Sequence, residues 1–172
     1  MPLLGANELC EKLSTYKQAA PAALGAALYE EAVDIVGAAD EDVPYEFGHL
    51  RRSHFVELPR DAGSGPEVEF GYGAGYGLYV HEVPANHPKG GKDHWLRDAV
   101  NSTASGRAER LAARTAAHLE AGEGFEAASG VPVERPDPKE AVEAERADRE
   151  RARRRSRAAA IRAQNSARGR LR

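Results

Sequence analysis

Apolar side chains recur every three or four residues in the first part of the chain, which is the spacing of one buried helical face. The pattern predicts a helix over residues 21–40, with Pro21 in its first turn. The inward-facing positions of this helix are Leu24, Leu28, Ala32, Ile35, Val36 and Ala39. A shorter helix, capped by Asn7 and running through Lys17, is expected before it, and Pro21 should end or bend that helix.

Alternating apolar and polar side chains then predict a β-hairpin. Residues 54–58 and 67–72 both alternate in the manner of half-buried strands, and the turn-forming residues 61–66 lie between them. Residues 77–81 are expected either to add a third strand or to lead into the next loop. Because a sheet of two strands is only marginally stable alone, we expect the helices and neighbouring subunits to stabilise it.

A second long helix is predicted to begin at Asp93, as its N-cap, and to stop before Gly122. Its inward-facing positions are Leu96, Ala99, Val100, Leu111, Thr115 and Leu119. The glycine- and proline-rich residues 122–138 indicate a linker or an extended arm. The predicted fold class is therefore α+β, and residues 1–121 form a domain in which two long helices pack on a small, mainly antiparallel sheet.

Residues 139–172 are predicted to form a charged, Arg-rich arm that is helical or disordered. Large apolar residues are so few there that the arm is not expected to fold onto the domain by burial. Nine arginines and no acidic residue lie between Arg151 and Arg172, so the rest of the chain carries a net charge of −12, since the total is −3. These arginines are Arg151, Arg153, Arg154, Arg155, Arg157, Arg162, Arg168, Arg170 and Arg172.

This division of charge predicts that the arm attaches to nucleic-acid phosphates, to an acidic protein surface or to the acidic domain itself. A solvated arm that only raises solubility is the alternative. No aromatic residues interleave with the arginines, so base stacking is not indicated. Any nucleic-acid contact of the arm is therefore expected to be with phosphates and to lack sequence specificity.

Length and composition exclude several classes of protein. A chain of 172 residues is too short for a large multidomain enzyme. Its single cysteine, Cys10, excludes an intrachain disulfide and a cysteine-rich zinc site, which suits a reducing compartment. The longest apolar runs are alanine-rich, interrupted by proline and shorter than the about 20 apolar residues that cross a bilayer. A soluble protein without a secretory signal and without membrane contact is therefore expected.

One stretch of the sequence resembles a metal or acid–base site. His81 and Glu82 are adjacent, and His87 follows six residues after His81. This spacing does not fit a helical zinc motif, and Pro84 within it and Pro88 directly after it prevent a regular helix. His94 beside Trp95 is expected to belong to the start of a helix. We therefore expect a structural or interface role for these residues, and no metal, cofactor or catalytic residue.

Glycine alternates with other residues over positions 71–77, without the ending of a phosphate-binding loop or the spacing of a dinucleotide fingerprint. Tyr72, Tyr76 and Tyr79 lie in and beside this stretch. Tyrosines combine an apolar ring with a hydrogen-bonding end, so they favour a subunit or partner interface.

Three short motifs occur in an order and spacing typical of a known family. The motif residues are Val43, Pro44, Gly48, Leu50, Arg51 and Ser53 in the first, Tyr79, Val80, His81 and Glu82 in the second, and Lys92, Trp95 and Leu96 in the third. With them, residues 20–120 resemble the head–tail connector and tail-completion proteins of long-tailed bacteriophages (siphophages), often labelled minor capsid or neck proteins. Glu46-Phe47 replace the Asp-Thr that is usual in the family, so any capping by that pair must be supplied differently.

The resemblance implies a non-enzymatic virion protein at the head–tail interface, made in the host cytoplasm. It implies a homo-oligomeric ring, six- or twelve-fold by family analogy, next to adaptor, stopper, tail-terminator or tail-tube proteins. Packaged DNA passing through the neck is then a further, non-specific partner for the arm. Two other function classes stay open from the residues alone: a nucleic-acid-binding accessory protein that acts through the arm, and a small hydrolase that uses His81 or His94.

Overall fold

The computed structural model describes residues 5–122, 135, 137 and 138–169 of the chain. Within them, the elements in chain order are α1 (Ala6–Asp42), α2 (His49–Arg52), β1 (His54–Val56), β2 (Arg60–Asp61), β3 (Pro66–Glu67), β4 (Phe70–Tyr72), α3 (Gly77–Glu82), α4 (Trp95–Ser102), α5 (Arg107–Ala121) and α6 (Pro138–Gly169). The predicted α+β class is confirmed. The linker predicted over 122–138 lies almost entirely outside the described residues.

Helix α1 runs without a break through Pro21, so the prediction of two helices separated there was wrong. An interior proline costs a helix about 3 kcal/mol, because it lacks a donor and its ring crowds the preceding turn. The residues around Pro21 are mostly alanine, leucine and other strong helix formers, and they outweigh that cost. Residues 5–18 are exposed, whereas the half of α1 after Pro21 packs on the domain.

The predicted hairpin is confirmed, although its ladder is interrupted. Strand β1 pairs antiparallel with β4, placing Phe55 opposite Gly71, and β2 pairs antiparallel with β3, placing Arg60 opposite Glu67. Pro59 lies between β1 and β2 and has no N–H to donate, which interrupts the ladder there. The hairpin packs on α1 through Val56.

Residues 77–81 form part of helix α3 and not a third strand. The Gly77 N–H donates to the carbonyl of Ala74 at 2.8 Å, and this turn leads directly into the helix. Burial within α3 also follows helical spacing, because Gly77 is buried, Leu78 and Tyr79 are exposed, Val80 and His81 are half-buried, and Glu82 is exposed.

The second long helix of the prediction is divided into α4 and α5, which are separated at residues 103–106. The Thr103 hydroxyl donates to the carbonyl of Ala99 at 2.8 Å, a contact by which threonine competes with continued helix. His94, with φ of 58°, occupies the N-cap position of α4 in place of Asp93. The predicted stop before Gly122 is confirmed, since Gly122 caps α5 in the left-handed region.

The core lies where α1 meets the hairpin and α4. One buried cluster comprises Ile35, Ala39, Val43, Leu50, Ala74, Trp95 and Ala99, and a second comprises Tyr29, Ala32, Val36 and Val56. Four of the inward positions predicted for α1 are fully buried, while Leu24 and Leu28 are half-buried. Within the described residues, no helix has both the length and the apolar character needed to cross a membrane.

Candidate functional site

The three motif segments, distant in sequence, are joined by backbone hydrogen bonds. The Lys92 N–H donates to the carbonyl of Asp42 at 2.9 Å, and the His94 N–H donates to the carbonyl of His81 at 2.9 Å. Gly91 packs so closely on the first motif that a Cβ there would lie 2.4 Å from the Cα of Pro44. The motifs therefore form one packed unit.

The residues of the first motif have structural positions. Val43 and Leu50 belong to the core, and Pro44 is buried. Gly48 is the N-cap of α2 with φ of 81°, a left-handed conformation that glycine adopts without strain. A Cβ at this position would lie 2.9 Å from the Tyr45 ring, so the close contact also requires glycine. Glu46 and Phe47 form no side-chain cap on α2.

Ser53 and Arg51 complete this motif. Ser53 is buried; its hydroxyl donates to the carbonyl of Leu50 at 2.7 Å and accepts from the Ala74 N–H at 3.2 Å. Both hydrogen-bonding functions of the hydroxyl are thus used to join the first motif to the segment before α3. The Arg51 guanidinium lies 6.0 Å from the centre of the Tyr45 ring. Among the described residues it forms no ion pair.

The second and third motifs bring two histidines and a glutamate together beside Trp95. His81 Nδ1 lies 2.7 Å from Glu82 Oε1, and His94 Nε2 lies 3.7 Å from Glu82 Oε2. The His81 ring packs edge-to-face on buried Trp95, with 4.7 Å between ring centres, and its centre lies 5.6 Å from that of His94. A shallow cavity of about 250 Å³ adjoins this cluster.

The charges in this cluster favour contact of the Glu82 side chain on α3 with His94 at the start of α4. The hydrogen bond from His81, together with the charges of His81 and His94, holds the pKa of Glu82 below its usual value. Glu82 is therefore an ionised carboxylate shared by two imidazole rings. Among the residues that the structure describes, no group of three or more His, Cys, Asp or Glu side chains is arranged to hold a metal ion.

The three tyrosines of the interface prediction have different surroundings. The Tyr72 hydroxyl donates to Asp40 Oδ1 at 2.7 Å, and burial and this bond raise its pKa. Tyr76 is half-buried, and burial and the neighbouring Glu145 carboxylate raise its pKa. Tyr79 is 69% exposed. Tyr72 and Tyr76 thus contact their own chain. Tyr79 is the tyrosine that remains exposed enough to contact another subunit or partner.

The first half of α6 docks on the domain, although the arm was not expected to fold onto it by burial. Asp148 Oδ2 lies 2.8 Å from His49 Nε2, and Arg149 bridges Glu46 and Glu145 at 3.1 and 2.6 Å. Glu145 is only 8% exposed. The contact thus consists mainly of ion pairs, which an apolar periodicity does not reveal. A cleft of about 320 Å³ separates this part of α6 from residues 44–50.

The nine arginines of the arm divide into three groups. Five of them, Arg151, Arg153, Arg154, Arg155 and Arg157, are exposed on α6. Arg162 and Arg168 lie in the last turns of α6, and Arg170 and Arg172 lie outside the described residues. Two of the exposed arginines form ion pairs within α6, with Asp148 and Glu150. Within the described residues, the five exposed arginines form no ion pair with the domain.

Another charged cluster was not predicted from the sequence. Glu31 is 3% exposed on the buried side of α1, and Arg110 and Arg114 of α5 each donate to its Oε2 at 3.1 Å. Arg107 Nε lies 3.4 Å from its Oε1. Hydrogen bonding from Arg110 outweighs burial and holds the pKa of Glu31 below its usual value. The sequence feature that could have revealed this cluster is an acidic residue on the apolar side of α1, together with three arginines at helical spacing on α5.

Comparison of the chain with known protein families, with curated proteins and with solved structures finds no match.

Proposed function

We propose that the protein is a structural component of a tailed-phage neck that joins the head to the tail or completes the tail. One observation carries the proposal: the three motifs that resemble the neck family pack on one another around Trp95. If the three motifs form a structural unit common to the family, their residues must pack together. Motifs that resemble the family by chance are under no such requirement. The virion neck is the corresponding location.

The proposed assembly is a homo-oligomeric ring, and the exposed apolar surfaces support it. A ring needs two different surfaces on each subunit, because head-to-tail contacts close only when one patch meets another. The first surface, the α3 patch, consists of Leu78, Tyr79 and Val83, which are 75%, 69% and 37% exposed. The second surface, the α1 stripe, consists of Leu9, Leu13 and Tyr16, which share one face of the exposed half of α1.

The cluster of His81, Glu82 and His94 has a positioning role in this proposal. It holds α3 against the start of α4, and the α3 patch therefore has a fixed orientation on the domain. Exposed apolar side chains in a fixed orientation are typical of an assembly surface. Sixfold or twelvefold closure, and contact with adaptor, stopper, terminator or tube proteins, follow from the family analogy.

The test is the mass of the purified protein in solution, together with its place in virions. We expect light scattering to show a ring for the wild type and a smaller species for L78A/Y79A. Leu58→Ala is the matched control, because Leu58 is an exposed apolar residue of the hairpin that belongs to neither surface. A tagged protein should be seen at the neck of particles by electron microscopy. A tag found elsewhere in the virion, or absent from it, would contradict the proposal.

A further inference from the structure

We propose that the carboxyl half of α6 binds double-stranded nucleic acid. In this complex the helix lies in the major groove, and its arginines contact the phosphates on both sides of the groove. The element, the arginine segment, comprises residues 151–157, which hold five exposed arginines in two helical turns. The proposal rests on the charge and geometry of α6 itself and does not depend on the ring.

The sign of the charge changes where α6 leaves the domain. Residues 138–150 hold five acidic and three basic residues, and this half of the helix forms the ion pairs with the domain. From Arg151 onward the helix has no acidic residue, and residues 153–160 are exposed. The acidic half therefore anchors the helix, and the basic half projects. The 19 residues from Arg151 to the end of α6 extend about 28 Å at 1.5 Å per residue.

The arginines of this segment occupy two opposite sides of the helix. Arg151 and Arg155 are four residues apart and share one side, and Arg153 and Arg157 share another. At 100° per residue the centres of the two sides are about 160° apart, and Arg154 lies in the arc between them. A single flat acidic surface can meet only one of these sides. The major groove of a duplex admits an α-helix and has a phosphate backbone along each edge, so it meets both.

Other occupants fit the observations less well. The acidic domain of the same chain does not pair with these five arginines among the described residues, although it carries most of the acidic groups. Single-stranded nucleic acid is usually bound with aromatic stacking, and the segment contains no aromatic residue. Arginine contacts to phosphate position a protein without reading sequence, so we expect little sequence preference.

The experiment is fluorescence anisotropy of a labelled 20-base-pair duplex with the full chain over a salt series. Five phosphate contacts give a log–log salt slope of up to about −4.5. Replacing all five arginines with glutamine should weaken binding by about a hundredfold or more at low salt. Replacing them with lysine should keep most of the slope, because charge is retained. Circular dichroism should show the same helix content for both variants, since Gln and Lys are good helix formers.

A matched pair of double variants tests the location of the contact. R153Q/R157Q and K12Q/K17Q each remove two cations from an exposed helix. We expect the first to reduce the slope by about 2 and the second to leave it unchanged. Equal effects of the two would overturn the proposal, as would a duplex affinity that does not change when all five arginines become glutamine.

Competition separates the duplex from other polyanions. A duplex competitor should displace the labelled DNA more effectively than single-stranded DNA or poly-L-glutamate of equal charge. Equal displacement by poly-L-glutamate would overturn the proposal in favour of an acidic protein partner, and equal displacement by the single strand would overturn the assignment to the groove. A chain that binds the duplex as a monomer would support this inference while contradicting the ring.

Discussion

Two buried glutamates lie where helices meet the domain, and they differ in how completely they are paired. Glu31 on α1 receives hydrogen bonds from two arginines of α5 and lies within ion-pair distance of a third. Glu145 on α6 accepts from Arg149 of its own helix on Oε1 and neighbours Tyr76 of the domain, whereas its buried Oε2 forms no hydrogen bond with the described residues. A buried carboxylate oxygen without a donor has lost water and gained no replacement. We therefore expect α5 to be held firmly and α6 to detach more easily.

This difference between Glu31 and Glu145 indicates when ion pairs can hold a helix on the domain in place of apolar burial. No residue of α5 is fully buried, so its apolar packing comes only from half-buried side chains such as Leu111 and Leu119. Its arginines bond both to Glu31 and to the turn before the helix, since Arg110 also donates to the carbonyls of Thr103 and Ser105. The rim contact of α6, between Arg149 and Glu46, is half-exposed on both sides and is expected to contribute little.

The largest effect is expected from removing the charge of Glu31. Glu31→Gln leaves three arginines around a neutral amide, and breaking a buried ion pair from one side costs about 3 kcal/mol. The free energy of unfolding from urea titration measures it. Glu30→Gln is the control, because Glu30 is partly exposed, pairs with Arg114 and His118, and should cost less than about 1 kcal/mol. Equal costs for the two variants would contradict the assigned role of Glu31.

The same carboxylate should give the protein an acid-sensitive component of stability. The pKa of Glu31 is lower in the folded chain than its usual 4.5. Its contribution is therefore fully present above pH 4.5 and is lost as the pH falls through the folded value. The stability difference between wild type and Glu31→Gln should be constant near neutral pH and should shrink below pH 4.5. A difference that stays constant down to pH 3 would refute this explanation.

A smaller effect is expected where α6 docks. Asp148→Asn removes the carboxylate that lies 2.8 Å from His49 Nε2 and should open the docked part of α6 without unfolding the domain. Amide hydrogen exchange should become faster in residues 142–150, while the free energy of global unfolding changes by less than about 1 kcal/mol. Lys139→Gln is the control, since Lys139 is exposed in the first turn of α6. Unchanged exchange in Asp148→Asn would show that the ion pair does not hold the helix.

Apolar periodicity predicted the parts of the fold that depend on burial. The inward face of α1 around Ile35, the hairpin and the end of α5 at Gly122 were all predicted from local patterns. The helix α3 was not, because residues 77–81 are too few for periodicity to distinguish a strand from a helical turn. The break at Thr103 was also missed, since it depends on one hydroxyl bonding back to a carbonyl.

The charged contacts could not be predicted in the same way. Patterns of apolar and polar residues assign a glutamate to the surface, so they do not indicate the burial of Glu31 or Glu145. Glu31 and Arg110 are 79 residues apart, and no local rule joins them. The motif residues were identified from their order along the chain. Their meeting around Trp95 depends on tertiary packing, which the order does not reveal.

The smallest effect is expected in the projecting half of α6. Glu150→Gln removes the ion pair with Arg154, whose two side chains are 63% and 79% exposed. Exposed pairs four residues apart stabilise a helix by less than about 0.5 kcal/mol, because water and salt screen them. Thermal unfolding followed by circular dichroism should therefore match the wild type within about 1 °C. A clear loss of stability would mean that residues near Arg154 pack on the domain, and the contrast between an anchored half and a projecting half of α6 would have to be abandoned.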